Sequence, residues 1–131
     1  MPRAGKNFHA LFRPLSRDGK TRQKASPGVN PDVEAIWHAI ASIPIGLVST
    51  YGDVARAAGL PGHARQTAYA LRIVPEEMNL PWHRVMGAGG RIVFPKNSRG
   101  YREQTRRLKS EGVTVKEGRV PKAVLMDVEK F

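Results

Sequence analysis

The stretch "STYGDVARAAGLPGHARQTAYALRIV", residues 49–74, limits the fold more than any other part of the chain. Gly59-Leu60-Pro61-Gly62 cannot continue a helix, because Pro lacks the amide donor and Gly favours turn backbone. The flanking residues suit helices, so the segment reads as two short helices around a turn. Thr50 and Asp53 have the spacing of a capping box, which would start the first helix. Val54 with Ala57 or Ala58 gives that helix its inner face. The second helix begins near His63 and presents Ala64, Ala68 and Leu71 on related faces, with Arg65 and Arg72 outside. Short helix, glycine turn and basic second helix is the outline of a helix-turn-helix. A plain helical hairpin has the same outline, so this pattern alone leaves DNA binding open.

Charge bears on that choice. The chain carries 22 Lys and Arg against 11 Asp and Glu, a net charge of +11. Such an excess favours a polyanionic partner, with nucleic acid ahead of an anionic membrane surface. It implies phosphate binding and its salt dependence, and nothing about sequence or lesion choice. At 131 residues the length suits one domain. With 0 Cys there is no disulfide framework, no thiolate zinc site and no cysteine nucleophile. No apolar run approaches the roughly 18 residues of a membrane span, and no secretory apolar region stands at the start.

Residues 1–29 lack periodicity and are rich in Lys, Arg, Gly, Pro and Ser, which predicts a disordered basic arm rather than a transit peptide. The folded domain is expected over 30–131. Asn30 suits an N-cap, Pro31 the first helical position, and Asp32 and Glu34 the first turn. Val33, Ile36, Trp37 and Ile40 fall on one stripe, so Trp37 is expected in the core. "HRVM" and "GRIVFP" are expected to pair as a small β-hairpin across Gly87-Ala88-Gly89-Gly90. "RGYREQTRRLKSEG" predicts a basic helix with Tyr101 and Leu108 on its inner side and Gly112 just past its end. "VTVKEGRV" predicts a terminal hairpin. The fold class expected is mainly α with a small β-hairpin, around a helix-turn-helix of winged-helix-like type.

The chemistry concentrates in "NLPWHRVMGAGG", residues 79–90. Pro81-Trp82-His83-Arg84-Val85 sets an indole beside a histidine and an arginine and then runs into glycines. His83 is the one candidate base, and no nucleophile accompanies it. The 4 histidines, His9, His38, His63 and His83, are scattered without ligand spacing, so no metal site is expected. "GAGG" follows a loop and lacks the Lys-Ser/Thr of a phosphate loop, and no Gly-x-Ser-x-Gly elbow is present. No cofactor is expected.

Taken together, "IPIGLVSTYGDVARAAGLPGHARQTAYAL", "LPWHRVMGAGGRI" and "LKSEG" resemble the DNA-binding domain of O6-alkylguanine-DNA alkyltransferases over roughly residues 33–113. Those enzymes carry Pro-Cys-His-Arg-Val, and the Cys accepts the alkyl group irreversibly. Here Trp82 stands at the Cys position, the mark of the alkyltransferase-like proteins, which bind alkylated guanine and transfer nothing.

The resemblance implies roles position by position. Tyr51, following Thr50 at the start of the first helix, matches the tyrosine that helps turn the nucleotide out. Arg65, in Ala64-Arg65, matches the arginine finger that fills the vacated stack. The small Ala64 and Ala68 let that helix sit close to the duplex, and the implied DNA-binding residues are Thr50, Tyr51, Ala64, Arg65 and Arg72. The implied lesion pocket combines Tyr51, Trp82, His83, Arg84 and Val85, with Lys96 or Arg99 as weaker candidates at the O6 edge. His83 and Glu111 match the base and its orienting carboxylate, and here they are expected to persist as a buried hydrogen-bonded scaffold. Trp82 either walls the pocket or plugs it against any base. Gln66-Thr67 replaces the family's Val-Gly, Val74 replaces an Asn, and "VFPKNSRG" departs from transferase loops.

The function implied is a non-enzymatic monomeric sensor of O6-alkylguanine in double-stranded DNA. It would flip the damaged nucleotide and hand the site to nucleotide excision repair proteins. No membrane is involved, and the location implied is cytoplasmic, on the nucleoid in a bacterium. The other readings are a helix-turn-helix regulator without lesion specificity and an enzyme using His83 on water.

Overall fold

A computed structural model describes residues 31–131; the basic arm, His9 and the Asn30 cap lie outside the described residues. Among the described residues there are four α-helices: α1 (Pro31–Ala41), α2 (Tyr51–Ala57), α3 (Ala64–Arg72) and α4 (Arg99–Ser110). Between them run β1 (Ser49–Thr50) and β2 (Val85–Met86), with short 3-10 turns over Glu76–Met78 and Trp82–Arg84.

The helix-turn-helix forms where its residues require it. Thr50 caps α2, its hydroxyl accepting the Asp53 amide at 3.1 Å. Gly59, at φ 85°, then reverses the chain, with the amide of Leu60 bonded to the carbonyl of Ala55. This satisfies carbonyls that the end of a helix leaves open. The inner face of α3 is carried by the buried Thr67 and Ala70, whereas Ala64 is exposed. Trp37 sits in the core and donates its indole N–H to the Ala70 carbonyl at 2.9 Å, fastening α1 to α3. The α4 helix starts at Ser98, whose hydroxyl accepts the Tyr101 amide, and ends at Gly112 with Val113 bonded back to Leu108.

The β structure differs from the expected hairpin. β1 and β2 form a parallel pair, Ser49 opposite Val85 and Thr50 opposite Met86. The turn after β2 closes on the single antiparallel bridge between Gly87 and Arg91. Beyond it the backbone of Arg91, Ile92 and Gly90 bonds to the C-terminal turn, Ile92 to Gly118 and Val120 to Gly90. "IVFP" is thereby drawn away from "HRVM", whose edge β1 already occupies. The terminal turn does close, Lys116 facing Arg119 across Glu117 and Gly118, both at positive φ as a two-residue hairpin turn requires.

The short parallel pair separates two cores. Val85 belongs to the cluster built by α1, α2 and α3, and its neighbour Met86 to a second with Val48, Ile92 and Leu108. Adjacent strand residues point to opposite faces, so one dipeptide ties both halves together. No helix among the described residues is long and apolar enough to cross a membrane.

Candidate nucleic-acid interface

The sharp turn at Trp82–Arg84 brings three side chains to different tasks. Gln104, buried in α4, donates to the carbonyls of His83 and Val85 at 3.0 and 3.2 Å, which holds the turn against the helix. His83 Nε2 lies 2.8 Å from Glu111 Oε2. Arg84 grips the same carboxylate with two parallel bonds, Nε to Oε1 at 3.0 Å and Nη2 to Oε2 at 2.7 Å. Its third nitrogen reaches the Ile43 carbonyl at 2.7 Å, so the turn is anchored to the segment before β1.

Burial pushes the Glu111 carboxyl up, but the hydrogen bonds from Arg84 and His83 outweigh it and hold the group at about 2. Burial is also the largest influence on His83, moving it below its ordinary 6.5 against the pull of Glu111, with Arg84 and Arg107 helping. His83 is therefore neutral at pH 7. Since the carboxylate only accepts, the ring carries its proton on Nε2. Nδ1 is then an unprotonated lone pair, buried and without a hydrogen-bond partner among the described residues. The sequence has 0 Cys, and the ring neighbour of His83 is the indole of Trp82, edge-on at 6.1 Å.

A cavity of about 580 Å³ opens between α2, α3, the Trp82 turn, residues 93–94 and the first turns of α4. Tyr51, Trp82 and Val85 line it together, and so does Arg72. Thr67, one of the departures from the transferase pattern, is buried and donates to the Tyr51 carbonyl at 2.9 Å, locking α3 onto the start of α2. Partial burial raises the Tyr51 phenol above its usual 10.0, so it keeps its proton as a donor. Trp82 is half-buried, with the Arg107 guanidinium 5.4 Å from its ring centroid.

Not every expected residue meets the cavity. His83, Arg84 and Lys96 are not among its lining residues, and Lys96 is exposed. Ala64 and Arg65 lie exposed at the start of α3, and Thr50 serves as the α2 cap. The cavity is completed by Phe94, Arg99, Glu103 and Gln104, of which only Arg99 is expected there from the sequence. Glu103 accepts from Arg106 and Arg107, whose hydrogen bonds hold its carboxyl at about 2. A signal for Gln104 exists: it is the polar residue between Tyr101 and Leu108 on the stripe that faces inward. Among the described residues no group of three or more His, Asp or Glu is placed to hold a metal ion.

A helix-turn-helix with an exposed basic second helix, beside a cavity at a Trp-His-Arg turn, defines a DNA-binding domain of the alkyltransferase type. The chain belongs to that family: residues 32–113 match the 6-O-methylguanine DNA methyltransferase DNA-binding domain. Alkyltransferase-like protein 1 of Schizosaccharomyces pombe is 41% identical over 80 residues, covering 61% of this chain and 74% of that protein. The DNA base-flipping protein of Escherichia coli is 43% identical over 82 residues, 63% of this chain and 62% of that protein. In structure, S. pombe Atl1 in complex with damaged DNA containing O6-carboxymethylguanine aligns with a TM-score of 0.66 at 32% identity. That alignment covers 76% of this chain and 97% of Atl1.

Proposed function

We propose that this protein detects O6-alkylguanine in duplex DNA, turns the damaged nucleotide into the cavity between Tyr51 and Trp82, and holds it without removing the alkyl group. The observation that carries this is the indole of Trp82, edge-on to the His83–Glu111 pair and lining the cavity, in a chain with 0 Cys. A base with its orienting carboxylate remains, but the cysteine that would accept an alkyl group is absent. The names of the relatives, base flipping in one and a complex with damaged DNA in another, point the same way.

Phosphate contacts from the basic surface supply most of the affinity without choosing a site. Extruding a base costs a few kcal/mol, least for a damaged one, which makes the lesion the favoured site. Arg65, exposed at the start of α3, would enter the stack, and the exposed Ala64 beside it would permit close approach. Tyr51 offers a phenol donor to the extruded nucleotide, and Trp82 an apolar wall. A complex that holds and does not react serves as a mark for other proteins, here those of nucleotide excision repair. The protein would act as a monomer, without a cofactor, where the DNA is: in the cytoplasm, on the nucleoid of a bacterial cell.

The test is binding of wild type and Arg65→Ala to matched duplexes bearing guanine or O6-methylguanine at fixed salt. The expected result is a preference for the lesion that falls about tenfold or more in Arg65→Ala. Equal binding of wild type to both duplexes would overturn the reading and favour a regulator or general DNA binder.

A further inference from the structure

One corner of the cavity is made of two rings. Phe94 stands nearly perpendicular to Trp82, at 83° with centroids 6.0 Å apart. Both residues line the cavity, as does Val93. Phe94 is 37% exposed and Val93 49%, so a pair of large apolar side chains faces solvent at the cavity's lip.

The corner is built into the fold. A Cβ on Gly100 would lie 2.6, 2.7 and 2.9 Å from three atoms of the Phe94 ring, closer than such contacts allow. The absence of a side chain in the first turn of α4 is what lets the ring lie there. Gly87 does the same for the neighbour: a Cβ there would lie 2.7 Å from a Val93 methyl. On the other side, Arg107 sits over the Trp82 ring at 5.4 Å and fixes the indole. A mobile surface loop would need none of these accommodations.

We propose that the Phe94–Trp82 corner is the specificity-determining element of the site, favouring an O6 substituent that carries an aromatic ring over a saturated one of equal size. The proposal rests on the lesion-binding reading above. Aromatic rings attract one another in offset-stacked or edge-to-face arrangements beyond the area they bury. Two perpendicular rings offer a third ring both arrangements at once. A saturated ring of the same bulk gains the burial alone.

Binding is measured for duplexes bearing guanine, O6-benzylguanine or O6-(cyclohexylmethyl)guanine, with wild type, Phe94→Leu and Gly100→Ala. Wild type is expected to favour benzyl over cyclohexylmethyl about 2- to 10-fold. Phe94→Leu keeps an apolar side chain and removes the ring, and should bring that ratio close to one. Gly100→Ala keeps the ring and displaces it, and should do the same. Alanine favours the helix over glycine, so a misfolded α4 is not its consequence. A wild-type ratio near one, or a ratio that both variants leave unchanged, overturns the proposal while a preference for both adducts over guanine stands. If wild type binds all three duplexes equally, the lesion-binding reading falls, and this proposal with it.

Discussion

Trp82 and His83 stand edge-on to each other, their ring centroids 6.1 Å apart and their planes at 87°. An indole thus occupies the nearest ring position to a buried, neutral imidazole whose Nδ1 has no partner among the described residues. The relation explains how a relay can persist as structure. His83 and Glu111 fasten the turn, and Trp82 is what the turn presents to the cavity.

Trp82→Ala tests that division of labour. The indole is only half-buried, so its removal should lower the melting temperature little while cutting affinity for an O6-methylguanine duplex about tenfold or more. A melting curve beside a titration with damaged and undamaged duplexes separates the two effects. A collapse of the fold would show that the indole belongs to the core instead.

Thr67→Val removes a different support. The hydroxyl donated to the Tyr51 carbonyl is lost, and a partly buried acceptor is left without its donor. The expected loss is about 1–2 kcal/mol, or about 5 °C or more in Tm for a domain of this size. Thermal unfolding followed by circular dichroism reads it directly, and an unchanged Tm would show that α3 does not depend on this bond.

The two supports also mark what was legible in the sequence. Gly59, Thr50 and the Trp37 stripe act locally, through turn backbone, a cap three residues away and helical periodicity, so α1, α2 and α3 follow from the residues alone. The pairing of β2 could not be read this way. Whether Val85 and Met86 join "GRIVFP" or Ser49-Thr50 depends on partners far apart in the chain, and periodicity is silent on that choice. In the site, Tyr51, Trp82 and Val85 come together at the cavity, whereas Lys96 is exposed and does not line it. Phe94 was missed because its placement depends on Gly100, a residue whose importance is the absence of a side chain.

Acid should weaken the fold through the turn network. Glu111 titrates at about 2 in the folded chain against an ordinary 4.5, so its contribution is full above pH 4.5 and is lost as pH falls through that range toward 2. His83, depressed below 6.5, acts in the same direction, because the unfolded chain takes up its proton first as pH drops. Urea midpoints measured from pH 7 down to pH 2 should fall steadily. Glu111→Gln should start lower at pH 7, by about 3 kcal/mol, and lose much of the slope below pH 4.5. A variant as pH-sensitive as wild type would place the titrating group elsewhere.

Salt separates the two arginines of α3. Arg72 is exposed and lies over the Tyr69 ring at 5.8 Å, on the rim of the cavity. If it also meets a phosphate, Arg72→Ala should weaken binding to damaged and undamaged duplex alike and reduce the slope of log K against log salt by about 0.9. Arg65→Ala should instead lower the preference for the lesion. Titrations of both variants across a salt series distinguish these outcomes, and a common effect on preference would give the two residues one role.

The central claim is that the site holds an alkylated guanine and does not react with it. The most direct measurement follows a duplex whose O6-methyl group is isotopically labelled, incubated with excess protein until binding is complete. All the label should remain on guanine in the DNA, with the labelled duplex bound in preference to an unmethylated competitor. Label on the protein, or methyl or base released from a duplex that was bound, would contradict it.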